Sequence, residues 1–469
     1  MTLEAEKFDW YGILFGYVFI CCLVGLVYSV VYPLNFAFRY IPVMLTVVLT
    51  LTATMALVSE RNAHPDEFVH IAASKYYKDH WLPPLIEDER IRDTYSQYGS
   101  SRLNTNEIVY LLNGKAARLL APLQLSEHVA FRMFNILLLG LILLYTLKVP
   151  GSRLVAVPLL LSAQVWYLFS YCNSDAFALT ISFFVGCQLV IPESALNRYL
   201  FGRRGWNWLI SGIIVAFLIG ALFVLKKNFY SYAILVLWVV FLKIWQATNK
   251  ESRILVFKRF VLACLLGLSL LAVKKAADYH VNGFDRHEKL LKLKDKIANP
   301  MYNLKSPLDK QHVQLSMKKR GVTLAEIINK DRWFEKTFRS AFGVYGYFTI
   351  SGSHGYYDLV RWTGTAFLIF FFGSVFLRSG MFNSIQALSA LSIAAALIAA
   401  SLYHSWVDDF QAQGRYLIPI LPMLGILCAQ NKEYVNARLC TFFVTCMFLL
   451  SAYSFICVAL LNIPRMVNT

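Results

Sequence analysis

Apolar runs long enough to cross a bilayer recur along almost the whole chain, and they leave it little else to become. A span needs about 20 mostly apolar residues to cross roughly 30 Å of hydrocarbon. Runs of this kind fall near 11–33, 41–59, 129–147, 154–170, 175–192, 207–225, 229–246, 257–273, 362–378, 384–402, 416–430 and 439–461, about twelve in all. Only 16% of residues are charged and 57% are hydrophobic, whereas soluble domains are roughly 25% charged. The expected fold is an all-α polytopic membrane protein with one membrane domain over 1–469. The first run follows an acidic leader (Glu4, Glu6, Asp9) and lacks the basic start and small-residue cleavage site of a signal peptide, so it is expected to stay as a span.

Orientation follows from the short connections. One set carries Arg39, Lys148, Arg153, Arg198, Arg203, Arg204, Lys250, Arg253, Lys258, Arg259, Arg378, Lys432 and Arg438; the opposite set is poorer in cations. The positive-inside rule makes the first set cytoplasmic. Two long loops, 60–128 and 274–361, are then extracytoplasmic. In the first, Pro65 can open a helix carrying Phe68, Ile71, Ala72 and Tyr76 at helical spacing. A second, interfacial helix is expected from Asn104 to Leu120. The second loop is basic and ends in the aromatic, glycine-bearing stretch 341–348.

The net charge of +17 fits basic loops and anionic lipid, and nucleic acid is not an expected partner. Of nine cysteines, eight lie in apolar runs and read as small core residues; there is no CxxC pair. No Asn-x-Ser/Thr acceptor occurs, which favours a bacterial membrane over a glycosylating pathway.

Candidate chemistry crowds the extracytoplasmic ends of the spans. His64-Pro65-Asp66-Glu67 stands where an apolar run gives way to a polar loop. Acidic residues suit a helix N-terminus, worth about 0.3–1 kcal/mol. They can equally act as a general base toward a sugar hydroxyl, with Asp66 first and Glu67 second. Asn173-Ser174-Asp175 reads as a helix cap or as a substrate contact. Lys226 and Lys227 run against the charge bias, and a lipid-linked phosphate would use them, although lysines at span ends also snorkel. Gln413-Gly414-Arg415-Tyr416 offers an arginine for bidentate phosphate binding, or an interface anchor. Arg132, near the outer start of the third span, reads by default as an anchor, and with His70 it completes the candidate substrate contacts. No spacing supports a metal site, and no cofactor is expected.

These strings together resemble the GT-C superfamily of multispanning glycosyltransferases. They are similar, more closely, to a family of predicted bacterial envelope-polysaccharide proteins. That family's pattern runs Pro-Asp-Glu-x-x-His, Arg near a span start, Asn-x-Asp, Lys before an aromatic, Phe-Gly, and Gln-Gly-Arg-Tyr-x-x-Pro. Here the matching residues are Pro65, Asp66, Glu67, His70, Arg132, Asn173, Asp175, Lys227, Phe229, Gln413, Gly414, Arg415, Tyr416 and Pro419, with Tyr345-Gly346 in place of Phe-Gly. An additional span also precedes the acidic loop.

The resemblance implies a GT-C-like bundle that moves sugar from a polyprenyl-phosphate donor to a hydroxyl of an envelope glycan or glycolipid such as O-antigen. It implies Asp66 as base, and Arg415, Lys227, Lys226 and Tyr416 at the donor phosphate. The setting would be the outer face of a bacterial inner membrane, and a companion flippase and a donor synthase would supply the donor. Two rivals are a polysaccharide ligase or polymerase and a lipid-linked sugar transporter. A transporter tends to show repeats and charge at the midplane, and no repeat is visible here.

Overall fold

A computed structural model of the protein describes residues 38–203, 205–246 and 250–465. The expected span 11–33, its acidic leader, Cys21, Cys22 and Arg204 lie outside them. Helix α1 is Tyr40–Val58. Thr46, Thr50, Thr52 and Thr54 sit within it, yet each hydroxyl donates to a carbonyl one turn back. Polar groups satisfied this way cost little in hydrocarbon.

The first long loop holds α2 (Glu67–Asp79) and α3 (Val109–Leu119). The two pack so closely that a Cβ on Gly114 would meet the Ser74 carbonyl at 2.5 Å. Helix α3 starts later than the expected Asn104, because Arg102–Asn104 forms a separate 3-10 turn. Its buried face is Val109, Tyr110, Asn113, Gly114 and Ala117, while Leu112 and Leu119 point outward.

The bundle continues through α4 (Glu127–Lys148), the short buried α5 (Ala163–Phe169), α6 (Asp175–Val190), α7 (Trp206–Phe223), α8 (Tyr230–Trp245) and α9 (Lys250–Asn282). The second loop follows and contains α10 (Trp333–Gly343) and a two-stranded hairpin, β1 (Val344–Tyr345) with β2 (Ile350–Ser351). Then come α11 (His354–Arg378), α12 (Met381–Val407), α13 (Ile420–Gln430) and α14 (Ala437–Tyr453). Among the described residues, eight helices are long and apolar enough to cross a membrane, or ten if each of two bent pairs is one span. This is a multi-pass, all-α membrane protein.

The expected count of about twelve is not reached among the described residues. The run 154–170 is the main difference. It is two helical pieces, Pro150–Leu160 and Ala163–Phe169, that meet at 103°. Pro158 lacks a helix-propagating N–H, and Ser162 is extended at φ −142° and ψ 121°. Every residue from Ser152 to Phe183 is buried. The apolar composition there serves protein packing in a sharply bent pair, where one continuous span was expected. The run 416–430 likewise contains only the eleven-residue α13.

The break gives the second loop its seat. Ser162 donates to the Ala341 carbonyl, and Gln164 accepts from the Val344 N–H. The loop is also stitched to the extended segment after α12. Leu315 bridges Asp409, and the Phe410 N–H donates to the Gln314 carbonyl. One end of the bundle thereby carries both loops as a continuous cap.

Candidate functional site

Asp66 stands where α1 has ended and α2 begins. Its backbone is left-handed, φ 58° and ψ 7°, and its side chain makes no cap hydrogen bond to α2. Aspartate tolerates this region better than most residues. The carboxylate is therefore turned away from the helix end. The preceding residues are held firmly. His64 Nδ1 lies 2.8 Å from the Tyr167 hydroxyl, and its Nε2 lies 2.8 Å from Ser59 Oγ. Its ring stacks on Tyr171 at 4.8 Å. The Tyr167 oxygen also accepts the Gly346 N–H, so α5, the hairpin and the Asp66 turn share one anchor.

Glu67, one residue on, lives in a different world. It is fully buried and grips Arg132, also fully buried, through two bonds of 2.7 Å. Arg132 donates further to the carbonyls of Ala56, Ser59 and Glu60. These carbonyls belong to the frayed end of α1, which needs donors. The Cys172 N–H completes the Glu67 shell. This bidentate knot ties α1, α2, α4 and the start of α6 together, and neither member lines the cavity described next.

That cavity, about 580 Å³, is walled by Asp66, Tyr98, Arg102, Tyr347, His404, Asp409, Gln411, Arg415 and Tyr416, among others. The Asp66 side chain is 45% exposed, and Arg415 Nη2 lies 3.4 Å from its Oδ2. Arg415 is 16% exposed, and its Nε is buried with no partner among the described residues. Asp409 is tied up: it accepts from the Tyr98 hydroxyl at 2.9 Å and from Gln411 Nε2 at 2.5 Å. Asp66 is thus a carboxylate held by one long contact, in a space that also presents Arg102.

The other expected residues gather behind this wall. Lys226 pairs with Asp175 at 2.8 Å and lies 5.5 Å from the centre of the Tyr416 ring. Asn228 donates to the Tyr416 carbonyl, and the Tyr416 hydroxyl donates to Gln411. Asn173 accepts the N–H groups of Asp175 and Ala176, so it caps α6. His70 is buried against the Tyr110 hydroxyl at 2.9 Å. Gln413 donates to Gln411 and faces a second cavity. Lys227 is exposed on the turn 227–229 and lies outside the Asp66 cavity wall. Segments separated by up to 349 positions, Asp66 to Arg415, meet at this end of the bundle.

Reasoning from sequence missed Arg102, Tyr98 and Tyr347. Arg102 follows Ser101, which caps its 3-10 turn by accepting the Leu103 N–H, but no periodicity marks it as a cavity residue. Among the described residues no group of three His, Cys, Asp or Glu side chains could hold a metal ion.

Gly414 shows why the Arg415 turn has its shape. Its N–H donates to Ser340 Oγ, and a Cβ there would meet Ala341 backbone at 2.4 Å. Gly414→Ala is expected to push this turn off α10, costing about 1–3 kcal/mol as overpacking does, and to displace Arg415 with it. Thermal unfolding of the purified variant checks it.

Acid should loosen the same region. Burial holds both His64 and His70 well below the usual imidazole range. The Arg132 charge adds to this at His64, and Arg102, Lys226 and Arg415 add to it at His70. The unfolded chain takes up these protons below about pH 6.5 while the folded chain does not. Stability therefore falls as pH drops below that value, by up to about 1.4 kcal/mol per unit for each histidine. A melting temperature that stays flat between pH 7 and 5 would contradict this.

No protein-family model, curated protein or solved structure matches the chain.

Proposed function

We propose that this protein is an inverting glycosyltransferase of GT-C type. It moves a sugar from a polyprenyl-phosphate donor to a hydroxyl of an envelope glycan or glycolipid at the outer face of a bacterial inner membrane. The observation that carries this reading is the half-exposed Asp66 carboxylate beside Arg415 in the wall of one cavity at this end of the bundle.

In this mechanism Asp66 accepts the proton of the acceptor hydroxyl. The hydroxyl oxygen bonds to the anomeric carbon as the bond from that carbon to the phosphate oxygen breaks. The electron pair leaves with the polyprenyl phosphate, and single displacement inverts the anomeric centre. The phosphate needs no general acid but gains charge. Arg415 and Arg102 are placed to receive it, with Lys226 behind Tyr416. A well-placed donor of this kind is worth about 3–4 kcal/mol. An arriving phosphate would also compete with Asp66 for Arg415 and release the base when the donor is present.

The test is sugar transfer by the purified protein in lipid. Polyprenyl-phosphate sugars serve as donors and envelope glycolipids as acceptors, and the product anomer is read by NMR. Transfer with inversion that Arg415→Met and Asp66→Asn each suppress is the expected result. Absence of transfer from every donor by folded protein would remove the proposal in favour of the ligase or transporter.

A further inference from the structure

A second cavity of about 460 Å³ opens on the far side of the segment that follows α12. Residues 409–413 divide their side chains between two faces, with a tight turn at 411–413 where the Gln413 N–H donates to the Gln411 carbonyl. Asp409 and Gln411 face the Asp66 cavity, whereas Phe410, Ala412 and Gln413 face the second one. The hairpin tip is shared in the same way, with Tyr347 on the first cavity and Phe348 on the second.

The two spaces differ in charge. The Asp66 cavity mixes two carboxylates with two arginines. The second carries Lys336 and Arg339 and no carboxylate. Neither cation has an ion-pair partner among the described residues. Lys336 Nζ lies 5.1 Å from the Phe410 ring centre, and Arg339 packs 4.5 Å from that of Tyr357. Arg339 Nε and Gln413 Oε1 are buried with no hydrogen-bond partner among the described residues. Buried polar atoms of this kind are met by ordered water or by a ligand's polar groups. Phe348, 51% exposed, adds a flat apolar face, and Gln314 adds an amide.

We propose that this second cavity binds the acceptor glycan through an acidic sugar, one bearing a carboxylate or phosphate, and lets the next unit reach Asp66 past the Tyr347–Phe348 tip. The proposal rests on the glycosyl-transfer reading for what the bound chain does, but binding itself does not depend on it. The class follows from the lining. Aromatic rings take the C–H face of a sugar, amides pair with hydroxyls, and paired cations select an anion. Placed one hydrogen bond from Gln411, Gln413 would sense the bound glycan beside the catalytic cavity.

The experiment is direct binding to full-length protein in nanodiscs, measured by calorimetry. The probes are a galacturonate hexasaccharide and its carboxyl-reduced, neutral counterpart. Wild type is expected to prefer the acidic probe, increasingly so at low salt. The double variant Lys336→Gln with Arg339→Gln is expected to lose about tenfold or more of that affinity. Lys319→Gln, which removes an exposed charge from the same loop outside this cavity, is the control and should bind like wild type. Equal affinity for the two probes, or equal losses in the double variant and the control, would overturn the proposal. Matching melting temperatures exclude misfolding as the cause. Selective binding without any sugar transfer would sink the glycosyltransferase assignment and leave this site standing. Transfer that the double variant leaves untouched, with no acidic preference, would do the reverse.

Discussion

Asp66→Asn is expected to leave a folded protein that transfers sugar about 10²–10⁴-fold more slowly, the usual worth of a general base. Asparagine enters the left-handed region as readily as aspartate, so the φ of 58° is kept. The side chain is 45% exposed and, among the described residues, its one ion pair is the 3.4 Å contact to Arg415, so little stability rests on it. The charge is what disappears, and with it the proton acceptor that the proposed mechanism assigns to Asp66. Single-turnover transfer and thermal unfolding, run side by side, separate the two effects. A rate within a few-fold of wild type would end the base assignment. Asp66→Glu keeps a carboxylate but meets a less welcoming backbone, and should fall between the two.

Glu67→Gln should do the opposite. Arg132 would keep its charge in a fully buried place and lose its counter-charge. Breaking a buried pair from one side typically costs about 3–5 kcal/mol. The melting temperature is expected to fall steeply, and activity to fall only as folded protein is lost. Adding Arg132→Met to Glu67→Leu should cost less than the two single changes summed, because no charge is stranded. Recovery would be incomplete, since the carbonyls of Ala56, Ser59 and Glu60 lose their donor. A Glu67→Gln protein that melts normally yet transfers no sugar would make Glu67 a chemical participant.

The contrast between these neighbours marks the limit of what local sequence could tell. Two acidic residues at a span end look alike in one dimension. Their roles separate only when Arg132, 65 positions later, claims one of them. Arg415 was legible because the string Gln413-Gly414-Arg415-Tyr416 stands out at the start of an apolar run, and its Gly414 proves to be a packing requirement. Arg102 was not legible, since a 3-10 turn has no repeat to betray its inward side. The long apolar helices were legible throughout. The run 154–170 misled because burial in protein and burial in lipid ask for the same residues. Only its 103° bend and complete enclosure tell them apart.

The left-handed turn at Asp66 has a genetic consequence. Most replacements there would strain the backbone and lower the amount of protein. Asparagine would not, so one substitution could produce a silent enzyme at full abundance. Under the proposed function, such a protein would still hold the lipid donor at Arg415. Expressed beside the wild type, it should titrate a scarce carrier lipid and act as a dominant inhibitor of its own pathway.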